Sequence, residues 1–267
     1  MKGGALMEKY LKFDMHCHTK EGSVDGKVMI EDYIKILKEK GFGGMLVTDH
    51  DSYDGYREWK RRIKGKRHKD FVVLKGVEYD TGDCGHMIIV MPEGVKLRIL
   101  EMRGLPVLAL IQIVHYFGGI IGPAHPYGEK YVSMIRTRRK KGMIDLIMKQ
   151  VDFVEVFNAC ENANVNHAAV RLASKYKKPG LGGSDAHRKD CVGRGYACLP
   201  SWIQSESDLI QYVKSRPHIA CGGSFYHRTT KEKIGRLNKV LVNSFFVYNK
   251  VGGWAKSHKR TKELKKY

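Results

Sequence analysis

Short apolar runs that finish at or beside a histidine or a carboxylate, separated by helical segments, constrain this chain more than any other feature. The first is Phe13-Asp14-Met15-His16-Cys17-His18-Thr19, in which apolar and polar residues alternate and a strand would place both histidines on one face. Gly44 to Thr48 leads to Asp49-His50-Asp51, and Phe71 to Leu74 leads to Gly76-Val77-Glu78-Tyr79. Ile120 to Ala124 delivers His125-Pro126, and Gly180 to Ser184 delivers Asp185-Ala186-His187. Phe153 to Asn158 is a further strand, carrying Glu155. His86-Met87-Ile88-Ile89-Val90 breaks the pattern, because its histidine stands at the start of the run.

Between these runs lie helical patterns at Val28 to Lys40, Tyr53 to Lys66, Leu105 to Phe117, Val165 to Tyr176 and near Ser205 to Lys214, with a strand near Tyr196 to Leu199. Strand followed by helix, repeated, predicts an α/β fold with parallel strands around a common centre. In such barrels the C-terminal ends of the strands carry the site, and the opposite rim serves stability.

Imidazole and carboxylate suit first-row divalent cations, and two imidazoles two residues apart on a strand face can share one. The candidates are His16, His18, Asp25, His50, Glu78, His86, His125, Asp185 and His187. Half of the 12 histidines fall in these places, while the others lie in helical or basic segments. The absence of cysteine from the set argues against a closed structural zinc site and for open sites that keep water.

The 267 residues carry a net charge of +20, an excess that attracts phosphorylated or polyanionic partners. The six cysteines form no C-x-x-C pair, and the N-terminal stretch has no apolar leader, so free thiols in the cytoplasm are expected. No apolar run is long enough to span a membrane. No signal of oligomeric state is present.

His16-Cys17-His18-Thr19, Asp25-Gly26, Thr48-Asp49-His50-Asp51, Gly76-Val77-Glu78, Ala124-His125-Pro126 and Gly183-Ser184-Asp185-Ala186-His187, in that order, resemble the PHP (polymerase and histidinol phosphatase) family of metal-dependent phosphoesterases. The resemblance implies a distorted (β/α)7 TIM-like barrel over residues 10–200, followed by a short C-terminal extension with a basic tail over 201–267. It also implies two or three divalent metal ions (Mn, Zn or Fe) at the C-terminal rim. His16, His18, Glu78 and Asp185 would hold the first. Glu78 would bridge to a second bound by His86 and His125, and Asp25, His50 and His187 would hold the third. The loop between His18 and Asp25 is longer than in some members, which leaves Glu21 as an alternative to Asp25. The short stretch between His86 and His125 leaves no room for the cap domain of the nucleotide-bisphosphate phosphatases, so substrate specificity does not carry over.

The expected activity is hydrolysis of a phosphate ester by a metal-activated hydroxide, with Asp25 and Asp49 orienting or shuttling protons. Asp49, next to His50, is also a candidate for supporting a ligand. Arg194 and Lys20 are candidates to bind the substrate phosphate, and Glu155 is assigned support. A small phosphorylated substrate, either a phosphomonoester or a nucleotide, is the first expectation. Nucleic acid is the second, as short single-stranded RNA or DNA cut by a nuclease that uses the basic runs at 136–141 and 256–266. A domain kept only for interaction is the third, disfavoured because every ligand position is filled.

Overall fold

The computed structural model describes residues 9–128, 133–135 and 142–226, together with 247, 251, 252 and 255; the basic runs at 136–141 and 256–266 lie outside them. Nine strands are described: β1 (Tyr10–Cys17), β2 (Phe42–Val47), β3 (Val72–Asp80), β4 (His86–Val90), β5 (Ile120–Pro123), β6 (Val154–Asn158), β7 (Gly180–Gly183), β8 (Gly195–Pro200) and β9 (Cys221–Gly223). The helices are α1 (Ile30–Glu39), α2 (Asp54–Arg62), α3 (Val107–Tyr116), α4 (Ile144–Gln150), α5 (Ala163–Lys175) and α6 (Glu206–Lys214).

One sheet runs β5-β4-β3-β2-β1-β8-β9, and β6 pairs with β7 beside it. The sheet curls so that the β6–β7 pair bridges its β5 end and β1. Asp152 N donates to Ile121 O (2.8 Å) on the β5 side, and Asp185 N donates to His16 O (2.9 Å) on the β1 side. β1 shares its second edge, pairing with β8 from Tyr10 to Phe13 and meeting the end of β7 through Cys17 and Ala186. The result is the expected distorted α/β barrel.

The expectation of parallel strands is corrected at β4, which runs antiparallel to both β3 and β5, and at β8, which runs antiparallel to β1. The β3–β4 hairpin sets His86 opposite Asp80, so the start of β4 lies on the same rim as the end of β3. The odd position of His86 in its run follows from this reversal. The strand β9, which pairs antiparallel with β8, falls in a stretch read from the sequence only as the start of the tail.

Inward residues of the strands, among them Phe13, Met15, Leu46, Leu74, Ile88, Ile120, Phe153, Leu181 and Leu199, form the barrel interior. Ile203, Leu209, Ile210 and Val213, from α6 and the turn before it, join the same cluster and fill the mouth opposite the candidate site. α6 is set there by a capping box in which Ser205 and Asp208 satisfy each other's backbone N–H. α1 and α2 cover β1–β3 from outside, while α3, α4 and α5 cover β3–β6.

Candidate metal centre

Simple alternation along β1 does not put His16 where it is found. β1 carries one residue more than β2 between the pairs Asp14↔Met45 and Cys17↔Val47. The bulge separates two side chains of equal parity, as bulges beside active sites do. Asp14 turns outward, accepting from Ser184 N (2.8 Å), Ser184 Oγ (2.5 Å) and the Tyr33 hydroxyl on α1. His16 turns into the barrel mouth. β6 has a similar irregularity between Glu155 and Phe157. Gly183 permits the close approach of β7 to β1, since a Cβ there would lie 2.4 Å from both the Cβ and the backbone nitrogen of His16.

Four donor atoms converge at the centre of the mouth. His16 Nε2 lies 3.1 Å from His18 Nε2, 3.4 Å from Glu78 Oε2 and 3.7 Å from Asp185 Oδ1. His18 Nε2 lies 3.3 Å from Glu78 Oε2 and 3.2 Å from Asp185 Oδ1. A tetrahedral cation with ligand bonds of about 2.0–2.1 Å needs donor separations of about 3.3–3.4 Å. Glu78 Oε2 is buried without a hydrogen-bond partner, although three imidazole nitrogens face it. These residues fit a divalent cation.

A second group surrounds the other oxygen of Glu78. His86 Nδ1 and His125 Nε2 each lie 3.0 Å from Glu78 Oε1, and His50 Nδ1 lies 2.9 Å from Oε2. Asp25 Oδ2 stands 3.3 Å from His187 Nε2 and 3.8 Å from His50 Nε2, and the His187 and His50 rings both stack on His18. All nine candidate ligands therefore meet in one cluster. Three subsets have donor atoms close enough to share an ion: His16 with His18 and Asp185, His50 with Glu78 and His86, and His18 with His50 and His187. The second and third cross the partition implied by the resemblance, joining His50 to Glu78 and His86, and His18 to His50 and His187. Glu21 faces elsewhere, with both carboxylate oxygens 3.2 Å from Ile30 N at the start of α1.

The charges follow from this crowding. Burial opposes ionisation of Glu78, but His86, His50 and His16 outweigh it and hold the carboxylate well below its usual range. For Asp185, burial is likewise outweighed, here by His16, His18 and His187. His16 is pushed well above the usual histidine value despite burial, because Glu155, Asp185 and Glu78 face it. His18 is lowered, by burial and by His187 and His50.

Several buried side chains support the ligands. Glu155 accepts from His16 Nδ1 (2.8 Å) and from the backbone N–H of His125 (2.5 Å). Asn158 Nδ2 donates to Glu155 Oε2 (3.1 Å) and Asp185 Oδ2 (3.2 Å), joining β6 to the end of β7. Ser23 Oγ meets His18 Nδ1 (3.1 Å) and donates to Asp49 Oδ1 (3.0 Å). Asn158 and Ser23 carried no sequence signal, since neither belongs to a histidine–carboxylate pattern. The carboxylate of Asp49 faces Thr19 and Ser23, accepting from Thr19 N (2.6 Å) and Thr19 Oγ1 (2.8 Å). Arg194 donates to the carbonyls of Asp190 (2.9 Å) and Phe225 (3.1 Å), and its guanidinium lies over the Tyr226 ring. The Lys20 side chain is exposed on the loop that leads to Asp25.

The rim is also strained. Asp51, His125 and Asp185 have φ of +46°, +29° and +51°, a region that side chains with a Cβ seldom adopt and that clusters at functional sites.

The fold is shared with solved structures of low identity. PsfC from Pseudomonas syringae superposes with a TM-score of 0.58 at 17% identity, covering 88% of this chain and 99% of PsfC. The lesion-specific endonuclease PfuEndoQ from Pyrococcus furiosus superposes at 0.59 and 17% identity, covering 80% of this chain and 58% of the endonuclease. A two-domain protein from Bacteroides vulgatus, containing a predicted PHP-like metal-dependent phosphoesterase, gives 0.53 at 14% identity, covering 81% of this chain and 66% of its own. No curated protein matches the chain. The PHP-associated family matches residues 163–217. The PHP domain family matches residues 14–179, more than half of the sequence, and the chain belongs to this family.

Proposed function

We propose that the chain is a phosphatase acting on a small phosphomonoester or nucleotide, with two or three divalent cations held by the nine-residue cluster. The observation that carries the reading is that His16 Nε2 and His18 Nε2 lie 3.1 Å from each other and each 3.2–3.7 Å from Glu78 Oε2 and Asp185 Oδ1, with Glu78 Oε2 buried and lacking a hydrogen bond. His86 and His125 extend this set through the second oxygen of Glu78, and Asp25, His50 and His187 extend it toward solvent. Cations bound there supply Lewis-acid charge to the phosphate oxygens and lower the pKa of water.

The protein's own groups do the rest. Glu155 and Ser23 fix the ring orientations of His16 and His18, as second partners of ligating histidines commonly do. Asp25 stays ionised, because His187 and His50 outweigh the effect of its burial, and it can accept a hydrogen bond from a water entering from the open side. Asp49 is proposed as support for His18 and the loop that follows. Lys20 is proposed to meet the substrate phosphate. The engagement of Arg194 with two carbonyls weighs against the same role there. Residues 10–200 are proposed as the catalytic barrel and 201–267 as an appended segment.

One observation favours a second reading, a nuclease on short single-stranded RNA or DNA. The fold is shared with Endonuclease Q, whose structure holds a 27-mer duplex with an abasic lesion at its active site, and this chain has a net charge of +20. The test compares kcat/KM for a nucleotide bisphosphate and a short RNA over rising potassium chloride. Phosphatase action predicts better turnover of the small substrate and a shallow salt dependence. Preference for the RNA, with a slope near −0.7 per phosphate contact, would make the chain a nuclease.

A further inference from the structure

We infer that Arg103 is a positioning residue for the cation held on the solvent side of the cluster, acting through Asp80 and Asp51; the inference rests on the ligand set proposed above. Arg103 belongs to the segment between β4 and α3, outside every motif that marks the site. Its Nε donates to Asp51 Oδ2 (3.1 Å) and its Nη2 to Asp80 Oδ2 (2.9 Å). The two aspartates are joined again by Asp80 N, which donates to Asp51 Oδ1 (2.9 Å). One guanidinium thus spans two neighbouring carboxylates, with its side chain 18% exposed.

Both aspartates stand directly behind ligands. Asp51 follows His50, holds the left-handed φ noted above, and donates its own N–H to Glu78 O (3.0 Å). Asp80 pairs across the β3–β4 hairpin with His86, and its Oδ1 lies 3.9 Å from His86 Nε2, the ring nitrogen turned away from Glu78. At 3.9 Å the carboxylate acts on the His86 ring through charge rather than a hydrogen bond, raising its basicity, and losing an outer partner of a ligating histidine costs about 10–100-fold in metal affinity.

The segment that presents Arg103 is fastened on both sides. Gly104 N donates to Asp80 O (2.9 Å), Leu105 N to the Tyr79 hydroxyl (3.1 Å), and Gly82 N to Leu105 O (3.0 Å). Two residues earlier, Glu101 takes a bidentate pair of hydrogen bonds from Arg57 on α2, each 2.6 Å. Without the guanidinium, Asp51 and Asp80 would face each other unneutralised, and the turns carrying His50 and His86 would move apart. The cation of His16, His18 and Asp185 meets this arrangement only indirectly, through the His50 ring stacked on His18 and through Glu78, whose carbonyl takes the Asp51 N–H, so it is expected to feel the loss less.

The experiment is titration of metal-free protein with Mn2+ or Zn2+ by calorimetry, with metal content of the dialysed protein as a second readout. Wild type is expected to bind in two affinity classes. Arg103→Met should weaken the looser class about 10–100-fold, weaken the tighter class by much less and leave the far-UV spectrum unchanged, and Arg103→Lys should recover part of the loss. In an Asp80→Asn background the effect of Arg103→Met should shrink, because the two act in one chain. If Arg103→Met does not fold, Asp80→Asn alone carries the test and should weaken the same class. Unchanged affinities in the folded variants, or equal loss in both classes, would overturn the role of Arg103. A wild-type protein that binds no metal would instead overturn the proposed ligand set.

Discussion

The two sides of the candidate cluster are built differently. On the inner side, His16, His18, Glu78, His125 and Asp185 expose at most 3% of their side chains. They sit at strand ends and are braced by Glu155, Asn158 and Ser23. On the outer side, Asp25, His86, His187 and His50 expose 11, 15, 19 and 23%. These residues come from loops and a hairpin; His50 adjoins Asp51 and His86 pairs with Asp80, the two aspartates bridged by Arg103, while Asp25 faces His187 and His50. A group closed to water and held by hydrogen bonds has its geometry set before a cation arrives. A group reached by solvent can exchange its cation and meet a substrate. The inner side is therefore expected to act as the permanent site and the outer side as the working face.

Glu78 is the one residue that belongs to both sides, one oxygen facing His16 and His18, the other His86 and His125. Glu78→Gln should accordingly give the largest effect, lowering turnover by orders of magnitude and reducing metal content on both sides. The measurement is kcat on the preferred substrate together with bound metal per chain after dialysis. Loss confined to one affinity class would mean that the two sides are not joined through this carboxylate.

The rate of metal loss sharpens the contrast. Addition of a chelator to loaded protein should release metal in two phases, fast from the outer side and slow from the inner. Glu155→Gln removes an anionic acceptor from His16 and should accelerate the slow phase about 10–100-fold while sparing the fast one. Release in a single phase, followed by absorbance of a metal indicator, would erase the distinction between the sides.

Much of the cluster was legible in the sequence, because His16-Cys17-His18 and Asp185-Ala186-His187 put paired candidate ligands at the ends of apolar runs. What was not legible depends on backbone irregularity. Alternation along β1 predicts Asp14 and His16 on one face, whereas the bulge turns Asp14 to Ser184 and His16 to Glu78. A bulge leaves no mark on a pattern of apolar and polar residues. Asn158 and Ser23 are single polar residues whose partners lie elsewhere in the chain, so no local spacing marks them. Spacing did not separate Glu21 from Asp25; in the fold Glu21 faces Ile30 N at the start of α1, and Asp25 faces His187 and His50. His86 looked misplaced only because strand direction is invisible in a lone apolar run. Arg103 had no signal at all, since a guanidinium that spans two aspartates is a product of the hairpin and the segment packed against it.

The smallest of the expected effects concerns protons. His50 is pushed up to about 9, because Glu78 and Asp25 outweigh the lowering caused by burial. His187 is also pushed up to about 9, with Asp25 and Asp185 outweighing burial. His86 is raised in the same sense by Glu78. Below those values the rings carry protons, and a ligand must lose its proton to bind a cation. A cation entering the outer side at neutral pH therefore displaces protons from His50 and His187, and its apparent affinity falls as pH drops from about 9 toward 7. On the inner side His18 is lowered, Glu78 and Asp185 are held ionised, and His16 has a proton to give. Calorimetric titration at pH 7.5 in buffers of different ionisation enthalpy counts the protons released. The looser class should show the steeper dependence on buffer, by about one further proton per cation. An equal slope for both classes would mean that the outer histidines are neutral before metal binds, and the electrostatic half of the comparison would fail.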